Sequence, residues 1–192
     1  NYTITATYTE NNNYSISVNN GTLTINPKTA TINIGKGSSI YGNLVNLSSV
    51  TYSVNGLIEN DTIENIVLNT TANSESNVNA YDISATYIEN DNYTISINKG
   101  TWSITPRIIT IEITNEQITN QEIEYGNELN LDENSYTIKT GNILAKDQSN
   151  FKINLTSQTN PNNSETYLVS ATCTNTNYSI VLENNQITIV PR

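Results

Sequence analysis

Apolar and polar residues alternate along most of this chain, in short runs broken by Asn, Gly and Ser. From Tyr81 to Pro106 (YDISATYIENDNYTISINKGTWSITP), Tyr81, Ile83, Ala85 and Tyr87 are interleaved with Asp82, Ser84 and Thr86. A period of two puts one set on each face and predicts a half-buried strand. After a turn of Asn, Asp and Glu, a second alternation through Tyr93, Ile95, Ile97, Trp102 and Ile104 predicts a hairpin. The stretch occurs three times. It opens the chain at Tyr2–Pro27, with Tyr2, Ile4, Ala6, Tyr8, Tyr14, Ile16, Val18, Leu23 and Ile25 on the inward face. It closes the chain at Tyr167–Pro191, with Tyr167, Val169, Ala171, Cys173, Tyr178, Ile180, Leu182, Ile187 and Ile189 inward. Gly21, Gly100 and Asn185 share the hairpin position, which predicts a left-handed turn residue there. Pro27, Pro106 and Pro191 end the last strand, where a residue without N–H stops the ladder.

Self-similarity at this spacing is the mark of a tandem-repeat protein. The closing prolines lie 79 residues apart (27 to 106) and 85 apart (106 to 191), both within the usual domain range of about 50–200 residues. The predicted organisation is therefore residues 1–27 as the C-terminal half of a preceding repeat, then complete modules at 28–106 and 107–192. A strand and hairpin alone are marginally stable, so residues 1–27 are expected to pack on the residues after Pro27, to fray, or to belong to a larger domain.

The two complete units run in the same order. TATINI, with Ala30, Ile32 and Ile34 inward, is matched by RIITIEI, with Ile109, Ile111 and Ile113 inward. A Gly- and Ser-rich loop leads to Tyr41-Gly42, and a loop about five residues longer, Thr114 to Glu124, leads to Tyr125-Gly126. VTYSVNG (Val50, Tyr52 and Val54 inward) is matched by SYTIKTG, and IVLNTTA by FKINLTS. LIENDTIEN, Leu57 to Asn65, reads as a loop or a single helical turn, and Asp61 and Asp147 hold corresponding places in this irregular segment. About six short strands per unit, with no helical period, predict all-β modules, sandwich-like or β-grasp-like. Short, proline-marked joints predict an end-to-end, semi-rigid rod.

These residues resemble the MBG domain of the YGX type, a repeat of large bacterial surface proteins. The resemblance rests on Tyr41-Gly42 and Tyr125-Gly126, on the Tyr-x-Ile-x-Ala-Thr-Tyr strand at Tyr2–Tyr8 and Tyr81–Tyr87, and on the Asn-Tyr-x-Ile…Gly-Thr-x-x-Ile-x-Pro hairpin of residues 92–106. It spans essentially the whole chain as two complete units and a partial one. The third copy departs from the pattern, with Cys173 for the closing Tyr, a turn one residue shorter and Asn185 for Gly. The resemblance implies an extracellular, cell-surface, adhesin-type setting in long arrays, and it brings no catalytic residues.

Composition narrows the chemistry. Eight basic against 18 acidic residues leave a net charge of −10 with no basic stripe, which excludes nucleic-acid binding. No run approaches the ~18–20 apolar residues of a membrane span, and no signal peptide is visible. The absence of histidine removes the commonest general base and metal ligand. No phosphate loop or nucleophile elbow is present, so neither a catalytic residue nor a bound cofactor is expected. Calcium at loop acids is the one candidate cofactor, with Glu59, Asp61, Glu64, Glu89 and Asp91 as ligands, although solvated turns are the simpler account. A Lys–Asn cross-link repeated through the array is unsupported, since Lys28 is matched by Arg107 and Lys139, Lys146 and Lys152 have no lysine counterparts. Cys173, alone, forms no intrachain disulfide and takes a tyrosine slot as a half-buried thiol. The tyrosine stripe is expected in the core with its hydroxyls at the rim. The expected function is a non-catalytic stalk or spacer, whose partners are neighbouring repeats. The alternatives are repeats that bind a host glycan or surface protein, or that self-associate through strand edges.

Overall fold

The structure, a computed structural model, describes residues 1–114, 122–127, 129, 131–132, 135–157 and 166–192. It consists of strands joined by turns and irregular loops, with one 3-10 turn at Leu47–Ser49. Residues 1–27 contribute β1 (Tyr2–Ile4) and β2 (Gly21–Leu23). The first module contains β3 (Lys28–Ile34), β4 (Lys36–Ile40), β5 (Tyr52–Asn55), β6 (Val67–Thr70), β7 (Asn79–Thr86), β8 (Tyr93–Asn98) and β9 (Gly100–Thr105). Among the described residues the second module contains β10 (Arg107–Ile113), β11 (Glu122–Glu124), β12 (Tyr136–Thr140), β13 (Ile153–Ser157), β14 (Thr166–Cys173), β15 (Tyr178–Glu183) and β16 (Gln186–Val190).

Each module is a pair of mixed sheets. In the first, β5-β3-β8 faces β4-β9-β7-β6; in the second, β12-β10-β15 faces β11-β16-β14-β13. The order is the same strand for strand. β3 runs parallel to β8 and β10 parallel to β15; β4 runs parallel to β9 and β11 parallel to β16. Two facing sheets, with no α-helix among the described residues, fit the sandwich-like alternative. Inward residues of both sheets meet in one core: Ile32 and Ile34 from one, Ile83, Trp102 and Ile104 from the other, all buried. Ile109 and Ile111 extend this core, while Ile113, Ile123, Val169, Ile187 and Ile189 form a second cluster. Burying each Ile or Val side chain contributes about 1.5–3 kcal/mol, so these rows hold the sheets face to face.

Several expectations change. The Gly- and Ser-rich stretch before Tyr41 is β4, a strand, which gives the first module seven strands instead of six. Gly37 stands opposite Trp102, and a Cβ there would fall 2.3 Å from the indole ring. The small residues of β4 exist to seat that ring. LIENDTIEN is a loop with a turn at Glu59-Asn60. Tyr52 lies on the inward face opposite buried Ile34, but it opens an edge strand and stays 47% exposed at the rim of the core. Residues 93–104 do not form the expected hairpin, because β8 pairs with β3 while β9 pairs with β4 and β7 in the opposite sheet. Gly21, Gly100 and Asn185 are not left-handed; positive φ falls instead at Gly42, Gly56, Gly126 and Gly141, and at Asn60, Asn65 and Asn184. Gly100 is needed for close approach, since its Cβ would lie 2.0 Å from the carbonyl oxygen of Gly35.

Residues 1–27 also differ from expectation. β1 pairs with β2 as Tyr2↔Leu23 and Ile4↔Gly21, the register of Tyr81↔Trp102 and Ile83↔Gly100 between β7 and β9. The local pattern therefore builds the same ribbon. No second sheet covers it, so Tyr2, Ile4, Tyr8, Tyr14, Ile16, Val18, Leu23 and Ile25 are all exposed. The equivalent side chains in the complete modules are inward only because a facing sheet lies over them.

Candidate functional site

The polar chemistry of the described residues gathers where the two modules meet. On the first module, β4 leads directly into Tyr41, whose N–H donates to the Thr105 carbonyl at 2.9 Å. Gly42 turns the chain with φ +83°, and Asn43 N–H closes the turn on the Ile40 carbonyl at 2.9 Å. The tyrosine is thereby held off the end of the sandwich, against the second module.

There it meets Asp147, whose own turn is closed by its N–H on the Leu144 carbonyl at 2.9 Å. The Tyr41 hydroxyl donates to the Asp147 carboxylate, 3.1 Å from Oδ2 and 3.3 Å from Oδ1. Tyr178, at the start of β15, donates its hydroxyl to the same Oδ2 at 2.7 Å and accepts from Leu144 N–H at 3.0 Å. The Tyr41 and Tyr178 rings meet edge to face with centroids 5.6 Å apart, and Phe151 adds a second edge contact at 4.9 Å. Such pairs contribute about 0.5–1.5 kcal/mol beyond area burial. Leu144 lies over Gly42, where a Cβ would fall 2.4 Å from Cδ1. The glycine of Tyr-Gly therefore both makes the turn and clears a seat.

Two cations complete the joint. The Arg107 guanidinium donates from Nε to the Tyr41 carbonyl at 3.1 Å, from Nη2 to Asn43 Oδ1 at 2.9 Å and from Nη1 to Asn142 Oδ1 at 3.0 Å. Its planar fork is what spans three acceptors at once. Lys146 pairs with Glu75 of the first module at 2.8 Å and lies 4.8 Å above the Tyr41 ring. Nearby, buried Asn177 accepts from Val78 N–H at 2.8 Å and donates to Asn77 Oδ1 at 2.9 Å. Tyr41 is 2% exposed as a result. Burial pushes its hydroxyl above the ordinary tyrosine value, a rise that Lys146 opposes and Asp147 reinforces. Tyr178 is pushed up to about 12, by burial first and then by Asp147. Both phenols are neutral donors at physiological pH. The arrangement ties one module to the next.

The residues singled out from the sequence scatter. Asp61 accepts from the Tyr93 hydroxyl, which in turn accepts from Ile58 N–H at 2.9 Å, the same triangle as Asp147, Tyr178 and Leu144. The hydrogen bond to Asp61 is the leading cause that raises the Tyr93 hydroxyl. Glu59, Glu64, Glu89 and Asp91 are exposed, and among the described residues no three His, Cys, Asp or Glu side chains gather in a cluster fit for a metal. Lys139 pairs with Glu112 at 2.9 Å, while Lys28 and Lys152 are exposed. Cys173 is half-buried and its thiol is pushed up by burial. Of the stripe tyrosines, Tyr81 is half-buried with its hydroxyl on the Asn77 carbonyl at 2.9 Å. Tyr2 is exposed for want of a facing sheet, and the Tyr167 side chain lies outside the described residues. The Asp61–Asp147 correspondence was readable from the sequence. The roles of Tyr41, Arg107 and Lys146 were not, because each acts across a junction that no local pattern encodes.

Two β modules of one topology thus meet in a polar socket. Residues 30–103 match the family model of the MBG domain (YGX type), so the first module carries that domain. This class is a repeat domain typical of surface proteins and is not a known enzyme family. A comparison with curated proteins found no match. Among the described residues no helix is long and apolar enough to cross a membrane.

Proposed function

We propose that the chain is a stalk segment of a bacterial surface adhesin, outside the cell, whose stacked β modules hold a functional domain away from the surface. Its units are residues 28–106 and 107–192, with 1–27 as the C-terminal half of a further repeat. The observation that carries this reading is the joint. Tyr41 of one module is buried against Asp147 and Tyr178 of the next, and Arg107 is tied to both sides. A spacer needs this, because modules on a loose linker behave as a coil while fixed joints transmit length. A second reading, self-assembly by strand pairing, is favoured by β1 and β2, an uncovered apolar ribbon with open edges.

Small-angle scattering over a dilution series, with calcium and then chelator, tests both. An elongated monomer of constant length supports the spacer. Growth with concentration overturns it in favour of assembly. Lengthening only with calcium would assign the loop acids Glu59, Asp61, Glu64, Glu89 and Asp91 to a stiffening site.

A further inference from the structure

Part of the joint, though not Lys146, occurs twice in this chain, once covered and once open. At the far end of the second module Tyr125-Gly126 repeats the local geometry of Tyr41-Gly42. Tyr125 N–H donates to the Val190 carbonyl at 2.8 Å, Asn127 N–H to the Glu124 carbonyl at 3.1 Å, and Gly126 has φ +91°. Yet Tyr125 is 54% exposed where Tyr41 is 2% exposed. A Cβ on Gly126 would meet nothing within 4 Å, where one on Gly42 would strike Leu144.

The other half of the joint is also duplicated. Lys28, Ile58, Asp61 and Asn92 stand where Arg107, Leu144, Asp147 and Asn177 stand in the second module. All four are exposed, whereas their counterparts are buried or half-buried. Their own geometry is already set: Lys28 N–H donates to the Asn92 carbonyl at 2.9 Å, as Arg107 N–H does to that of Asn177. The Asp61–Tyr93–Ile58 triangle is formed as well. Both faces are therefore pre-organised, so docking costs little further ordering.

We infer that the Tyr125-Gly126 end is a docking face for another module of this same kind, seated through a face like that of Lys28, Ile58 and Asp61. The Tyr125 hydroxyl donates to the Asp61-type carboxylate, the Ile58-type side chain covers Gly126, and the Lys28-type cation takes the Tyr125 carbonyl. Donor end and acceptor end differ, so the contact is head to tail and can be repeated from module to module. The inference rests on the reading of the chain as stacked modules and extends it to a rule for stacking.

The test is an extended chain in which Pro191 is followed directly by a second copy of residues 28–192, since Lys28 already follows a proline at Pro27. Covalent linkage sets the effective concentration of the two faces at about millimolar or above. The added copy carries Tyr125→Phe, so that only the original Tyr125 is read. Nitration by tetranitromethane, followed by peptide mass spectrometry, should be about tenfold or more slower at Tyr125 in the extended chain than in the 192-residue chain. Ile58→Asp with Asp61→Ala in the added copy should restore the original rate. Equal rates at Tyr125 in the two unaltered chains, with Tyr41 protected in both, would overturn the docking rule and leave the observed joint intact. Fast nitration of Tyr41 in the parent chain would instead count against stacking itself.

Discussion

Asp147→Ala tests whether the joint couples the two modules energetically. Asp147 belongs to the second module, but it accepts the hydroxyl of Tyr41 from the first. The reporter is Trp102, the chain's single tryptophan, 2% exposed in the first module, with its indole N–H on Ser39 Oγ at 3.1 Å. A hydrogen bond to a charged acceptor contributes about 1.5–3 kcal/mol net. Asp147 is partly solvated, which discounts the Tyr41 share to about 1–2 kcal/mol. With a urea slope of about 1 kcal/mol/M for a module this small, the Trp102 fluorescence midpoint should fall by about 1 M or more. Tyr41→Phe should produce a similar fall, and the double variant little more, because both remove the same bond. An unchanged Trp102 midpoint in Asp147→Ala, alongside a shifted far-ultraviolet transition from the second module, would refute the coupling.

High pH should loosen the same joint. The Tyr178 hydroxyl rises from its ordinary 10.0 to about 12, so its contribution is complete below pH 10 and lost as pH climbs through about 12. At about 1.4 kcal/mol per pH unit that is on the order of 2–3 kcal/mol; urea midpoints that stay flat from pH 9 to 12 would contradict it. Gly100→Ala should destabilise by about 2–4 kcal/mol in thermal or urea unfolding, since the backbone oxygen of Gly35 at 2.0 Å cannot yield. Gly126→Ala, in open space at φ +91°, should cost only about 1–2 kcal/mol, and a reversed order would show that the close approach is misread. The raised thiol of Cys173 should react with a disulfide reagent at pH 8 about tenfold slower in the folded chain than in denaturant, and equal rates would argue against its burial.

The strands were legible wherever inward positions carry large apolar side chains. Ala30, Ile32 and Ile34, and Ile109, Ile111 and Ile113, are buried as their alternation predicts. β4 was missed for the opposite reason. Its inward positions are Gly37 and Ser39, kept small by the indole that lies across them, so a strand packed by its neighbour's bulk shows no hydrophobic period. Gly100 was legible as a glycine that matters but not as to why. Left-handed backbone and close approach both select glycine, and only the position of Gly35 separates them.

Strand pairing lay beyond the sequence, since β8 and β9, neighbours in the chain, lie in opposite sheets. The sequence by itself determined the repeat and most strand positions, because these depend on local alternation. That is why β1 and β2 form with no sheet over them. The tertiary structure decided which of those ribbons has a core and which tyrosines are buried. Tyr41 and Tyr125 have the same local sequence, the same turn and nearly the same φ at the following glycine. One is sealed and the other lies in solvent, because burial belongs to the neighbour and Asp147, Leu144 and Tyr178 reach only the first of them.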